Sequence, residues 1–203
     1  MKTAIMKTKL CKLQNEIITK ALHVLKQGGL VVYPTDTVYG ITGDTTPQGL
    51  KAVYQAKGRQ QTKPTPILLS ESHIATLLVE TPPIFWELAR KYWPGPLTIV
   101  SKKLPNTPPI FRKWEKIGVR LPAHPIPRIL AASLEGYIIG TSANISGLPT
   151  PSNPEEIEQQ IRQNWKGPLL IIDCGPAEKT PSTVVEIIDN KKLRVLRQGA
   201  IKV

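Results

Sequence analysis

Apolar positions first fall into a helical rhythm over residues 16–26, where Ile17, Ile18, Ala21, Leu22 and Leu25 share one face. Gly28 and Gly29 follow, at the point where a helix favours a left-handed stop. Residues 30–33 (LVVY) are a short apolar run with two adjacent valines, which predicts a buried strand, and Pro34 ends it because proline lacks the N–H a central ladder needs. Residues 47–56 return to helical spacing, with Leu50, Val53 and Tyr54 on one face. Further helices are predicted around 73–79, 84–92, 126–134 and 154–163, the last with Glu155 and Glu156 in its favoured first turn. Strands are predicted at 66–69, 97–100, 117–121, 137–140, 169–173, 184–188 and 193–196.

Helices therefore alternate with strands, but the last strands follow one another directly. The expected fold class is α/β with a mixed parallel and antiparallel sheet. A chain of 203 residues suits one sizeable core, and no domain-sized linker or internal repeat interrupts it, so a single domain over 1–203 is expected. The proline-rich stretch 105–109 reads as a loop.

Composition changes this picture in one respect. Hydrophobic residues make up 40% and charged residues 21%, as in ordinary globular proteins, but the formal net charge is +12. Such an excess implies solubility, or an acidic partner such as nucleic acid or a polyphosphate ligand. Lys2, Lys7, Lys9 and Lys12 cluster at one end, and Lys191, Lys192, Arg194, Arg197 and Lys202 at the other. Lys57, Arg59 and Lys63 sit mid-chain beside turn-forming residues. No apolar stretch is long enough for a secretion signal or a membrane span, and Cys11 and Cys174 make neither a disulfide framework nor a thiolate metal site. The expected location is the cytosol, with no membrane association.

Four loops have unusual composition. YPTDTVYG (33–40) follows a buried strand, so its polar residues emerge where open α/β sheets place ligands; as a structural feature it is a proline turn with Asp36 bonding its own backbone. Lys57-Gly58-Arg59 follows a predicted helix and offers a point charge and a planar fork to a polyphosphate, or a basic helix end to its own dipole. It is not a P-loop, because the glycine spacing and the Lys-Ser/Thr ending are missing. GTSANISG (140–147) places small hydroxyls and an amide after a strand, suited to an anion or to a helix cap. Pro181-Ser182-Thr183-Val184, with Arg197-Gln198-Gly199 downstream, is either a further site or a turn with a solvated arginine.

In order along the chain, YPTDTVYG, KGR, WPGPLT (93–98), VRLPAHP (119–125), TSANISG, STVVE (182–186) and the closing RQGAI resemble the YrdC-like (TsaC) family of threonylcarbamoyl-AMP synthases. Seven ordered matches cover almost the whole chain. The resemblance implies a twisted mixed sheet with flanking helices around a deep, positively lined cavity. There L-threonine, bicarbonate and ATP would become threonylcarbamoyl-AMP and pyrophosphate, with magnesium accompanying the ATP and no tightly protein-ligated metal. Partner threonylcarbamoyl transferase machinery would then carry the group to tRNA, with non-specific RNA contact along the way.

Residue by residue, the family's catalytic tetrad falls on Lys57, Arg59, Ser142 and Asn144. Threonine contacts fall on Thr35, Arg120, Ser142 and Ser182, and ATP contacts on Lys57, Arg59, Gln61, Asn144, Ser152 and Arg197. The chemistry suits these types: a carbamate oxygen attacks the α-phosphorus of ATP, and both partners are anionic. Fixed cations and hydrogen-bond donors screen the repulsion and hold the line of attack. Neither His23, His73 nor His124 is required.

The chain departs from the family at Thr42, which stands where a second glycine is usual, and at Gln60, where proline commonly follows the arginine. Thr65 and Pro66 are also atypical. The longer branch's extra C-terminal domain is not expected.

The rival from another class is a non-enzymatic RNA-binding module, for which the net charge argues. Only four Trp, two Phe and five Tyr are available, and no aromatic RNA-binding signature is present. A second rival is a paralogue of the same fold with another carbamoyl-transfer substrate. The hydrogenase-maturation relative sharing this fold carries cysteine-rich zinc modules that two isolated cysteines do not supply.

Overall fold

In this computed structural model, residues 3–7, 14–62, 64–177, 180–189 and 192–203 are described. Lys2, Lys9, Cys11, Lys12, Lys63 and Lys191 lie outside them. The elements run β1 (Ala4–Lys7), α1 (Gln14–Lys26), β2 (Leu30–Tyr33), β3 (Gly40–Thr42), α2 (Pro47–Ala56), β4 (Ile67–Leu69) and α3 (Pro83–Tyr92). They continue with β5 (Leu97–Lys102), β6 (Lys116–Arg120), α4 (Pro125–Ala132), β7 (Tyr137–Ile139), β8 (Thr141–Ser142), α5 (Pro154–Asn164), β9 (Leu169–Asp173), β10 (Thr183–Ile187) and β11 (Leu193–Arg197). The helical stretch expected around 73–79 is a 3-10 turn, Ser72–Leu77.

The helix boundaries follow from local chemistry. Gly28 takes φ of 72° at the end of α1, the left-handed stop expected there. Thr46 caps α2 by accepting from Gly49 N at 3.1 Å, and Asn153 caps α5 by accepting from Glu156 N at 2.9 Å, each ahead of a proline at the first turn. His124 Nδ1 accepts from Ile126 N at 3.2 Å and so caps α4, which gives that histidine a structural task.

The strands are mixed in direction, as expected, and they divide into two sheets. The first has the order β1-β9-β2-β3-β8 and the second β11-β10-β5-β6-β4-β7. Alternate residues of the central strands serve two cores. Leu30, Val32, Leu169 and Ile171 face the larger one, with α2, α3 and α5. Val31, Tyr33, Leu170 and Ile172 face a layer built from α1 and α4, where Ile17, Leu25, Ile126 and Leu130 are buried.

The chain passes from one sheet to the other at Gly140, between β7 of the second sheet and β8 of the first. A side chain there would strike Leu68, its Cβ falling 2.4 Å from Leu68 Cγ. Gly140 N donates to Pro66 O at 2.8 Å, and Tyr33 Oη donates to Ile139 O at 3.3 Å, which fastens the crossing on both sides. β3 pairs antiparallel with both β2 and β8, and the register Gly40↔Ser142 brings two of the unusual loops side by side.

Candidate functional site

A cavity of about 400 Å³ lies between the sheets and is lined from both. Thr35, Lys57, Arg59, Arg120, Ser142, Asn144, Ser182 and Arg197 all line it, although they come from six different stretches of chain. Gln61 and Ser152 do not: Gln61 is exposed, and Ser152 uses its carbonyl to accept from Ala177 N at 3.2 Å. Among the described lining residues there are five cationic side chains, the fifth being Lys116, and no carboxylate.

The Lys57-Gly58-Arg59 segment owes its shape to a helix stop. Lys57 closes α2, Gly58 adopts φ of 57°, Gly58 N donates to Gln55 O at 3.0 Å and Arg59 N to Tyr54 O at 3.0 Å. This is a Schellman motif, in which the glycine reverses the chain without a steric penalty. The reversal keeps both cations on the cavity wall. Lys57 is 3% exposed, and its ammonium donates to Ser142 O, to Asn144 O at 2.9 Å and to Asn144 Oδ1 at 3.0 Å. Burial, with the nearby Arg59 adding to it, pulls the Lys57 pKa down from its ordinary range to about 7. Arg59 Nη2 donates to Pro64 O at 2.9 Å, its guanidinium lies 5.8 Å from the Tyr54 ring centroid, and its Nε is buried without a hydrogen-bond partner among the described residues.

The loop after β8 is held from within. Ser142 Oγ donates to Asn144 Oδ1 at 2.6 Å, while Asn144 Nδ2 donates to Ile145 O at 3.0 Å and Leu148 O at 2.5 Å. Ser146 N donates to Lys57 O at 2.8 Å, so the lysine's main chain and side chain grip the same loop. The four tetrad positions thus form one connected cluster, with Arg59 joined through the Schellman turn.

Arg120 ends β6 and is 5% exposed. Its Nε donates to Gly95 O at 3.0 Å, its Nη1 to Thr37 Oγ1 at 3.0 Å and its Nη2 to Asp36 Oδ1 at 2.7 Å. Gly95 belongs to the turn of the WPGPLT segment, where the Trp93–Pro94 peptide bond is cis. Asp36 also accepts from Ala123 N at 3.1 Å. Its side chain therefore serves residues distant in sequence instead of its own backbone. Thr35 closes its own loop: its hydroxyl donates to Val38 O at 2.7 Å, accepts from Thr37 N at 3.0 Å and lies 3.0 Å from Thr37 Oγ1.

Ser182, just ahead of β10, and Arg197, at the end of β11, line the same cavity as Arg120 from beyond β5. Arg197 Nε and Nη2 donate to Ser182 O at 3.0 and 2.8 Å, Nη2 also reaches Ser182 Oγ at 3.0 Å, and Ser182 Oγ lies 3.0 Å from Thr98 Oγ1. Burial and the charge of Arg120 lower the Arg197 pKa from its ordinary value, the mark of cations sharing a cavity. The register of β10 on β11 shifts between Val184 and Val185, and such a bulge re-aims the strand that carries Arg197.

Several lining or supporting residues had no individual signal in the sequence analysis. Thr37 accepts from Arg120 at 3.0 Å, and Thr98 pairs with Ser182 at 3.0 Å. Lys116 lines the cavity because it stands four residues from Arg120 on one strand, hence on the same face; it pairs with Glu186 at 2.8 Å, and Glu186 in turn holds Arg194. Strand alternation alone was enough to find Lys116. Thr65, one of the atypical positions, lines the cavity with its hydroxyl unpartnered among the described residues. Thr42 is accommodated at 0% exposure by donating to Gly43 O at 2.7 Å.

The chain is also similar to known proteins over most of its length. A family profile described as "Telomere recombination" (Sua5/YciO/YrdC) matches residues 23–199. The threonylcarbamoyl-AMP synthase of Homo sapiens is 30% identical over 197 residues, covering 91% of this chain and 67% of its own. The structure of Pyrococcus abyssi Sua5 complexed with L-threonine superposes with a TM-score of 0.83 at 29% identity, over 98% of this chain and 58% of that one. The chain therefore spans under two thirds of that protein. Escherichia coli YciO, at 22% identity, shares the fold over 98% of this chain and 95% of its own, with a TM-score of 0.82. A profile match spanning every segment that lines the cavity places this chain in the Sua5/YciO/YrdC family.

Proposed function

We propose that this protein is a nucleotidyltransferase that makes threonylcarbamoyl-AMP and pyrophosphate from L-threonine, bicarbonate and ATP. The observation that carries the reading is the convergence of Lys57, Arg59, Arg120 and Arg197 with Ser142, Asn144 and Ser182 on one cavity, in a family whose P. abyssi member is known in complex with L-threonine. Arg120, with two of its five N–H groups left after the three bonds above, grips the amino-acid carboxylate. Lys57, Arg59 and Arg197 face the phosphates, where Lys57 and Asn144 act as one unit.

The threonine amine and bicarbonate give a carbamate with loss of water; a carbamate oxygen then bonds to the α-phosphorus as the bond to the pyrophosphate oxygen breaks, and pyrophosphate leaves. The protein's own part is electrostatic: donors already in place where negative charge gathers lower the barrier without reorganising. Magnesium arrives on the nucleotide in this reading and neutralises phosphate charge. Among the described residues, no group of three or more His, Cys, Asp or Glu side chains gathers as a metal site. The product passes to a threonylcarbamoyl transferase acting on tRNA in the cytosol, and contacts with RNA are non-specific and salt-sensitive.

The test is direct. The purified protein is incubated with ATP, magnesium, bicarbonate and L-threonine, and the adenylate is identified by mass spectrometry alongside pyrophosphate release. Threonine-dependent formation of both is the expected result; pyrophosphate release without threonine, or none at all, would overturn the assignment.

A further inference from the structure

The cations of the cavity differ in what balances them. Lys57 meets the carbonyls of Ser142 and Asn144 and an amide oxygen, Arg59 meets a carbonyl, and Arg197 meets a carbonyl and a hydroxyl. All of these are neutral. Two cations instead have a carboxylate partner: the partly exposed Lys116 pairs with Glu186 at 2.8 Å, and the buried Arg120 has Asp36 Oδ1 at its back, 2.7 Å from Nη2, with Asp36 itself not lining the cavity. Oδ1 also accepts from Ala123 N at 3.1 Å, whereas the second oxygen, Oδ2, is buried with no hydrogen-bond partner among the described residues, so Arg120 is the one cation that Asp36 meets in these bonds.

This difference bears on selectivity. An unbalanced guanidinium binds a phosphate as readily as a carboxylate, because the fork fits both. A site that must hold an amino acid beside a nucleotide faces that ambiguity within one cavity. A carboxylate behind the guanidinium resolves it by simple electrostatics. Repulsion from Asp36 is about twice as strong for a phosphate dianion as for a carboxylate at the same distance, and the ammonium of a zwitterion is attracted instead.

We propose that Asp36 is a positioning and specificity residue: it locks the Arg120 guanidinium and offsets its charge, so that this half of the cavity takes a zwitterionic amino acid and rejects phosphate. The inference rests on the reading that the cavity holds an amino acid and a nucleotide together. Thr37 supplies the comparison, since it holds Nη1 of the same guanidinium without carrying charge.

Calorimetry with L-threonine and inorganic phosphate as probes separates the two contributions. In the wild type, threonine binds, and millimolar phosphate leaves its apparent affinity unchanged. In Asp36→Asn, threonine weakens by about tenfold or more, as expected when one member of a buried charge pair is removed, and phosphate now competes with it. In Thr37→Val, threonine weakens but phosphate still does not compete. Phosphate competing equally in the wild type or in Thr37→Val, or failing to compete in Asp36→Asn while threonine still binds, would overturn the role of Asp36. Absence of threonine binding to the wild type would overturn the amino-acid reading itself. Should melting show that Asp36→Asn does not fold, Asp36→Glu replaces it: the charge is kept on a longer arm, so threonine weakens without phosphate gaining entry, and competition there would equally refute the proposal.

Discussion

Lys57 Nζ donates to Asn144 Oδ1 at 3.0 Å across 87 residues of chain, and the same oxygen accepts from Ser142 Oγ at 2.6 Å. The three side chains thus hold one another in place. Their preorganisation means that the donors need not be reoriented at the moment of reaction.

Lys57→Met should therefore damage chemistry more than folding. Removing one preorganised donor costs about 2.7–4 kcal/mol of barrier, or on the order of a hundred- to thousandfold in turnover. Single-turnover adenylate formation measures the loss, and circular dichroism confirms the fold. Near-normal turnover by the folded variant would remove Lys57 from the mechanism.

The same lysine makes stability depend on pH. Its pKa is lowered from 10.5 to about 7 in the fold, so between these values the unfolded chain holds a proton that the folded chain lacks. Stability from this group accordingly rises as pH increases through that window and is level below it. Melting temperatures at pH 7 and pH 9 should show the wild type gaining on Lys57→Met at the higher pH. A polyphosphate in the cavity would favour the protonated form, so nucleotide binding above pH 7 should take up a proton. Calorimetry in buffers of different ionisation enthalpy reads that uptake.

Arg120→Lys should raise the KM for threonine while leaving that for ATP nearly unchanged. Lysine retains the charge but cannot span Gly95 O, Thr37 Oγ1 and Asp36 Oδ1 while also presenting a fork to a carboxylate. Initial-rate kinetics with each substrate varied in turn would show this. Loss of ATP affinity with threonine use intact would place Arg120 on the nucleotide side.

Gly58→Ala tests the helix stop beneath the site. The left-handed conformation at φ of 57° costs an alanine about 1–2 kcal/mol, and the new Cβ would lie 3.1 Å from Asn164 Nδ2. A lower denaturation midpoint should accompany a larger drop in turnover than strain alone would produce, because Lys57 and Arg59 both hang on this turn. Chemical denaturation and adenylate assays on one preparation compare the two effects.

Much of this architecture was written in short-range patterns. The five helices, and the strands from β2 onward that are three or more apolar residues long, show in the spacing of Ile17 and Leu25, of Leu50 and Val53, or in runs such as LVVY. Two-residue β8 and three-residue β3 carry no period that could be read, and their polar residues suit the cavity more than a sheet. β1, four residues long, shows no readable period, because its parallel pairing with β9 depends on a partner more than 160 residues away. The division into two sheets is likewise a matter of which strands meet. Within the site, motif resemblance marked eight residues that line the cavity and two, Gln61 and Ser152, that do not, whereas the pairing of Asp36 with Arg120 joins positions 84 apart and leaves no local trace.

The crossing at Gly140 has a mechanical consequence. Two walls built on separate sheets would ordinarily be free to part like the shells of a clam. Here a single residue without a side chain rivets them, with Ser142 on one side of the joint and Ile139, stapled by Tyr33, on the other. At this edge of the cavity the walls cannot part without breaking the Gly140–Pro66 and Tyr33–Ile139 hydrogen bonds, so any widening has to come from the opposite edge.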